Sequence, residues 1–162
     1  MDRLTLTAGD RVRLRPGDRP RHFAFGRGMA EYGEARFLHE ATTVTLAGRS
    51  FAVRDDGERL SMRDDEDDEV LAAEPARKGR LRIGEHELAL PGKKPGRLGD
   101  AGEVRVQSGI VVLELRAPVA PLVALFAQSV VVLRLGLALP RDQRPDWNPK
   151  AQDSYGVQYW AT

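Results

Sequence analysis

Residues 117–133 read APVAPLVALFAQSVVVL and carry no charged side chain, although 30% of the residues of this chain are charged. The apolar character continues to Leu137 on every side of the segment, and residues 119–137 are too many for one strand of ordinary length. Pro121 suits the start of a helix, where a missing amide proton costs little, and Gly136 suits its end. We therefore predict a wholly buried helix over about residues 119–137.

Two alternatives to the buried helix arise from the same segment. Val130, Val131 and Val132 are β-branched and favour strands, so the segment could instead form a pair of core strands. A helix over residues 119–137 would also be nearly long enough to cross a bilayer. Gln128 lies near its middle, where the side-chain amide needs a partner that a protein interior offers and lipid does not. The balance favours the buried helix over a membrane-spanning one.

Length and composition indicate one globular domain, because 162 residues are enough to bury a core. The 25 Lys and Arg residues nearly balance the 24 Asp and Glu residues, which argues against a general nucleic-acid binder. The chain has no Cys, so disulfides, thiolate zinc sites and a Cys nucleophile are excluded. Charged residues interrupt any apolar stretch near Met1, so we expect no signal peptide and a cytoplasmic protein.

Short segments of alternating polar and apolar residues follow one another from residue 34 onwards, separated by turn signals rich in Gly and Asp. Many short strands at this spacing are typical of a barrel or a sandwich. We predict a mainly β fold of antiparallel hairpins, with strands over residues 35–46, 50–53, 59–62, 70–73, 80–83, 86–90, 103–107 and 110–115.

The two ends of the chain have a different composition. Residues 4–17 alternate on both sides of a Gly-containing turn, which predicts a short hairpin that is able to pair with the main sheet, and a connector rich in Gly, Pro and Arg follows it. The aromatic residues near the C-terminus predict a tail that packs on the domain. The predicted divisions are an N-terminal hairpin and connector (1–32), a barrel with its central helix (33–139) and an aromatic-containing tail (140–162).

The layout of short charged hairpins before an intensely apolar helix resembles the tubby C-terminal-like superfamily, which includes phospholipid scramblases and plant LURP-one-related proteins. The resemblance runs from about Gly33 to Leu139 and is carried by FLHEATTVTLAGRSFAVRDDGERLSM, RLRIGEHELAL and APVAPLVALFAQSVVVL. It implies a closed antiparallel β-barrel with the helix through its middle, and a scaffold or binding domain that is not an enzyme. The alternative within this group is a membrane-anchored, scramblase-like protein in which residues 119–137 span the bilayer.

Basic residues cluster in two stretches, 77–82 and 93–97, which we expect to lie near one another at one end of the barrel. Each Lys or Arg near an anionic membrane surface gains about 1 kcal/mol. A pair of solvated loops explains these stretches more simply, and the functional alternative is binding of anionic lipid head groups, peripherally at the inner membrane face, or of a protein partner. The candidate residues are Arg77, Lys78, Arg80, Arg82, Lys93, Lys94 and Arg97.

An acidic run over residues 64–69 suggests divalent cations, because carboxylate oxygens are the ligands that calcium takes. Its spacing is not that of an EF-hand loop, and a solvated hairpin tip explains it more simply. Weak ion binding requires that this turn and the turn near residue 56 meet at one end of the barrel. The candidate ligands are then Asp55, Asp56, Asp64, Asp65, Glu66 and Asp67.

Catalytic motifs are scarce in this sequence. His22, His39 and His86 lie far apart, without the closely spaced second ligand of a metal motif. There is no nucleophile elbow, phosphate-binding loop or dinucleotide fingerprint, and no cofactor is expected. A metal-assisted hydrolase that uses His39 or His86 with nearby carboxylates is the third functional alternative.

Overall fold

Twelve antiparallel strands close into a barrel around one helix in the computed structural model, which describes residues 4–38 and 41–139. The predicted fold class, a mainly β closed barrel of short hairpins around a buried apolar C-terminal helix, is confirmed. The elements are β1 (Arg11–Pro16), β2 (His22–Arg27), β3 (Ala30–Phe37), β4 (Thr42–Leu46), β5 (Arg49–Asp55), β6 (Leu60–Arg63), β7 (Glu69–Pro75), β8 (Leu81–Ile83), β9 (His86–Ala89), β10 (Gly96–Leu98), β11 (Gly102–Gln107), β12 (Ile110–Leu115) and α1 (Pro121–Leu135).

Each strand pairs with the next one along the chain, and β1 pairs with β12 to close the barrel, in a register that places Val12 opposite Leu113. Because neighbouring strands run in opposite directions, successive turns lie at opposite ends of the barrel. We call the end with turns 17–21, 56–59, 76–80 and 90–95 the upper end, and the end with turns 64–68, 84–85 and 99–101 the lower end. Helix α1 follows β12, so it begins at the lower end and finishes at the upper end.

The helix fills the interior of the barrel. Every residue from Ala124 to Val132 is buried, and the helix contacts strands on different sides of the barrel, namely β1, β12, β4 and β7. Alternating strand residues point into the core. Among them are Phe23 and Phe37, whose rings meet edge to face with centroids 5.2 Å apart. Burial on all sides outweighs the weak helix propensity of the three consecutive valines. The alternative of paired core strands is therefore wrong.

Both ends of α1 follow from the sequence. Pro121 is its first residue, where no intrahelical amide donor is needed. After the last turn, Gly136 adopts the left-handed conformation (φ 64°), and its N–H donates to the carbonyl oxygen of Leu133 at 3.3 Å. The N–H of Leu137 donates to the carbonyl of Val132 at 3.0 Å, which completes a Schellman motif. The helix is thus two residues shorter at each end than the predicted range 119–137.

The barrel strands enclose the middle of α1, where every residue from 124 to 132 is buried and none faces outwards. This placement argues against the alternative in which residues 119–137 span a bilayer. Within residues 4–38 and 41–139, no helix is both long enough and apolar enough to cross a membrane.

The barrel begins earlier than residue 33, which corrects the predicted N-terminal division. Residues 4–17 pair with the main sheet through β1 and do not form a separate hairpin, and the predicted connector is wrong because it contains the barrel strand β2. Phe23 and Phe25 point inwards and alternate with Ala24 and Gly26. Because these outward residues are small rather than polar, the strand lacks the alternation of apolar and polar residues that predicts a strand. Ahead of β1, Leu6 forms an isolated bridge with Val119.

Two further differences concern single strands. The predicted strand 35–46 is divided into β3 and β4 at residues 38–41, where Leu38 and Ala41 exchange backbone hydrogen bonds. Strand β10 lies in a stretch predicted as a connection, and Gly96 is required there because a Cβ atom would collide with the carbonyl oxygen of Ala89. The predicted tail 140–162 lies outside the described residues.

A candidate anion-binding groove on the outer face of strands 8 to 10

The β8–β9 hairpin presents alternate side chains to the two sides of the barrel wall. Its two-residue turn, Gly84-Glu85, pairs Arg82 with Glu87 and Leu81 with Leu88. The leucines are buried in the barrel core, whereas the arginine and the glutamate face outwards. One Arg–Glu pair is therefore fixed on the outer surface by the turn length alone.

A groove of about 610 Å³ lies on this outer face. It extends from the 3-10 turn Arg77–Gly79 at the upper end to residues 99–101 and 117–118 near the lower end. We call it the arginine groove. Its charged or ionisable lining residues are Arg77, Arg80, Arg82, Glu85, His86, Glu87, Arg97 and Asp100.

Three arginines of the groove converge on the carboxylate of Glu87. Its Oε2 atom lies 3.7 Å from Nε of Arg77 and 3.5 Å from Nη1 of Arg80, and its Oε1 atom lies 4.0 Å from Nη2 of Arg82. Strong charge-assisted hydrogen bonds are about 2.7–2.9 Å long, so all three contacts are loose. The four residues together carry a net charge of about +2 at neutral pH.

The arginine side chains are more exposed than the carboxylate they surround. Arg77, Arg80 and Arg82 are 71%, 47% and 62% exposed, against 26% for Glu87. Each guanidinium has five N–H donors. One shared carboxylate therefore leaves most of these donors facing solvent at the mouth of the groove.

Arg97 brings a fourth guanidinium to the groove from β10. It stands opposite Ala89 on β9, whose small side chain leaves the floor of the groove open. Its Nη2 atom lies 3.6 Å from Oδ1 of the fully exposed Asp100. A surface pair of this kind is weak, so Arg97 can reorient towards another acceptor at little cost.

The structure divides the seven predicted basic residues into two sets. Four arginines, Arg77, Arg80, Arg82 and Arg97, line the groove. Lys78 occupies the turn 76–80, and Lys93 and Lys94 occupy the turn 90–95, both at the upper end and outside the lining of the groove. The groove thus brings together arginines from both basic stretches, on the outer wall of the barrel.

The predicted divalent-cation site is wrong because its two turns lie at opposite ends of β6. Asp55 and Asp56 are at the upper end, whereas Asp64, Asp65, Glu66 and Asp67 are in the lower turn. Asp55 instead accepts a hydrogen bond from the N–H of Gly57 at 2.9 Å. Across residues 4–38 and 41–139, no group of three His, Cys, Asp or Glu side chains is arranged to hold a metal ion.

Only one of the two histidines considered for catalysis, His86, lies in the part of the chain that the structure describes. His86 lines the arginine groove together with Glu85, Glu87 and Asp100. The carboxylate of Glu87 faces the arginines described above. His39 lies outside the described residues.

Sequence reasoning missed the central position of Glu87 in the groove. The signal was present, because a two-residue turn at Gly84-Glu85 sets the register of the hairpin and places Glu87 opposite Arg82. Arg97 is expected near this pair from the sequence, but the strand β10 that brings it to the groove was not predicted.

A second groove, of about 690 Å³, lies on the outer face of β1–β3 and was also not predicted. Its charges are mixed, with two arginines and three carboxylates among its lining residues. One of the arginines, Arg15, already donates to Glu31 at 2.7 Å. This groove is therefore a poorer anion site than the arginine groove. Its charged or ionisable lining residues are Arg15, Asp18, Arg19, His22, Glu31 and Glu34.

The fold and the groove define a class of protein: a closed twelve-strand antiparallel barrel with a helix through its centre and a cluster of arginines on its outer wall. No protein-family model, curated protein or solved structure matches the chain.

Proposed function

We propose that this protein is a non-enzymatic, tubby-like binding domain that holds anionic lipid head groups in the arginine groove. The observation that carries the proposal is the convergence of Arg77, Arg80 and Arg82 on the single carboxylate of Glu87. This arrangement supplies more guanidinium donors than carboxylate acceptors. An anion of suitable size therefore has donors to bind.

The chemistry of the groove suits a phosphate group. A guanidinium presents parallel N–H donors that match two phosphate oxygens, and several guanidiniums can share one phosphate. The arginines are largely exposed, so a head group reaches their N–H donors from solvent without any change in the barrel wall. Lys78, Lys93 and Lys94 on the upper-end turns add attraction towards an anionic surface, at about 1 kcal/mol for each residue near that surface.

The architecture supports the tubby-like part of the proposal. A closed barrel threaded by an apolar helix is the arrangement that the sequence resemblance implies. Under this proposal the helix stabilises the barrel, and the outer wall carries the binding site. Binding would be peripheral, at the cytoplasmic face of a membrane.

Flotation of the purified protein with vesicles tests the proposal. Vesicles of phosphatidylcholine alone are compared with vesicles that also contain phosphatidic acid, at low and high salt. We expect flotation only with the anionic vesicles, lost at high salt because exposed charges are screened. The double variant R80Q/R82Q should lose most of this binding.

The matched control is R36Q/R54Q, which removes the same charge from strands β3 and β5, outside the groove. It should float like the wild type, and both variants should keep the wild-type melting temperature to within a few degrees. Equal loss in the two variants would show a general charge effect and overturn the groove as the site. Failure of the wild type to float with anionic vesicles would overturn lipid binding and favour a protein partner.

A further inference from the structure

We propose that Glu87 is an internal competitor of the bound anion, and that it must leave the arginine cluster for an anion to enter. This inference rests on the proposed function. It adds that the groove is regulated by its own side chain, which holds the arginines in place while the groove is empty and weakens binding of the ligand.

The position of Glu87 supports this inference. Its carboxylate lies 3.5–4.0 Å from nitrogen atoms of three different arginines, which is the place that a bound phosphate would occupy. It is the least exposed of these four side chains, at 26%. A phosphate and this carboxylate would repel each other in the same cluster, so the two are alternative occupants.

Loose contacts make the exchange of occupants possible. The backbone of Glu87 is fixed in β9 by pairing with Arg82 of β8, but its side chain is long and reaches the cluster from the strand. The three contacts are longer than strong charge-assisted hydrogen bonds. Rotation of the side chain out of the groove therefore breaks weak interactions and leaves the barrel wall intact.

Glu85 provides a matched comparison within the same groove. It lines the groove in the adjacent turn, and it forms no ion pair with any arginine of the described ranges. Neutralising Glu85 raises the charge of the groove as much as neutralising Glu87 does. Only the change at Glu87 vacates the centre of the arginine cluster.

The test compares the affinity of wild type, E87Q and E85Q for vesicles that contain phosphatidic acid, with inorganic phosphate as a soluble competitor. Releasing the arginines from a carboxylate about 4 Å away predicts roughly fivefold tighter binding for E87Q, and a smaller gain for E85Q, which makes no such contact. Inorganic phosphate should compete at lower concentration against E87Q if the phosphate group alone is recognised. Competition that fails at all concentrations would indicate that the lipid surface is also needed.

The outcomes separate this inference from the proposed function. Anionic binding by the wild type, with E87Q no tighter than E85Q, would overturn the competitor role and leave the groove as a site. Weaker binding by E87Q would show that Glu87 organises the arginines for the ligand, which also contradicts the inference. Absence of binding by all three proteins would overturn the proposed function, and the competitor role with it. Thermal melts of the variants establish that each is folded.

Discussion

The guanidinium Nη1 of Arg134 lies 3.1 Å from each carboxylate oxygen of Asp55, so an ion pair ties the last turn of α1 to the upper end of β5. Both side chains are partly buried, with 20% and 32% of their surface exposed. The contact joins residues 79 positions apart in sequence. It fixes the end of the central helix to the wall that surrounds it.

Removal of this pair should loosen the upper end of the barrel. We expect the double-mutant cycle of R134Q and D55N to give a coupling energy of about 1 kcal/mol, the upper end of the range for exposed pairs, because both groups are partly buried. Chemical denaturation of the four proteins measures it. A coupling energy indistinguishable from zero would mean that the ion pair adds nothing to stability.

Gln128 connects the helix to the seam of the barrel. Its side chain is fully buried, and its Nε2 donates to the carbonyl oxygens of Val12 on β1 and Val111 on β12, each at 3.0 Å. We expect Q128L to cost about 1–2 kcal/mol, because two buried acceptors lose a donor. Q128E should cost more, since it places a buried carboxylate against the same two carbonyl oxygens.

The control for Gln128 is its neighbour Ser129, which is equally buried but donates within the helix to the carbonyl of Leu125. S129A should cost less than about 1 kcal/mol, because helix carbonyls already accept backbone bonds. Urea midpoints order the three variants. If Q128L is as stable as the wild type, the hydrogen bonds at the seam do not contribute to closure of the barrel.

Phe126 tests the central position of the helix. It is fully buried in the barrel core, so F126D places an unpaired charge there and should abolish cooperative unfolding. Met29 is fully exposed in the β2–β3 turn, and M29D should change stability by less than about 0.5 kcal/mol. Far-UV circular dichroism with thermal melting distinguishes the two. A native-like melt of F126D would refute the buried helix.

Acid should weaken the contact between the β5–β6 turn and β7. The hydrogen bond from Arg59 lowers the pKa of Glu69 below its ordinary value. A carboxyl with a lowered folded-state pKa binds its proton more weakly when folded, so its stabilisation is complete above the unfolded pKa of about 4.3 and is lost as the pH falls further. Unfolding free energies measured from neutral pH to pH 3 should therefore decline less in E69Q than in the wild type.

Glu58 provides the control for this pH dependence, because it is exposed in the preceding turn and shares the acidic character of Glu69. E58Q should retain the wild-type decline on acidification. Identical pH profiles for E69Q and the wild type would show that the ion pair with Arg59 does not contribute to acid sensitivity.

The central helix and most of the hairpins could be predicted from the sequence, because each depends on a local pattern of hydrophobic and turn-forming residues. The uncharged run around Phe126 predicts a buried helix, and turn signals such as Gly84-Glu85 predict most of the hairpins. Strands whose outward residues are small are not predicted from this pattern. Strand β2, with Ala24 and Gly26 on its outer face, is an example. Closure of the barrel cannot be predicted from a local pattern either, since the pairing of β1 with β12 joins residues about a hundred positions apart and depends on the whole sheet.

The candidate site was only half predictable for the same reason. Arg80 and Arg82 are clustered in sequence, so a basic surface there is expected, and the hairpin register brings Glu87 to them. Arg97 joins the groove only through the pairing of β9 with β10, a short strand without a sequence signal. The predicted cation site failed because hairpin turns alternate between ends of the barrel.

Backbone amide chemical shifts during titration with short-chain phosphatidic acid test the arginine groove most directly, because they locate the bound head group residue by residue. We expect concentration-dependent shifts concentrated in residues 77–89 and 96–100, and no shifts when short-chain phosphatidylcholine is used. Shifts confined to the groove on β1–β3, or none in residues 77–89 at saturating lipid, would show that the arginine groove is not the binding site.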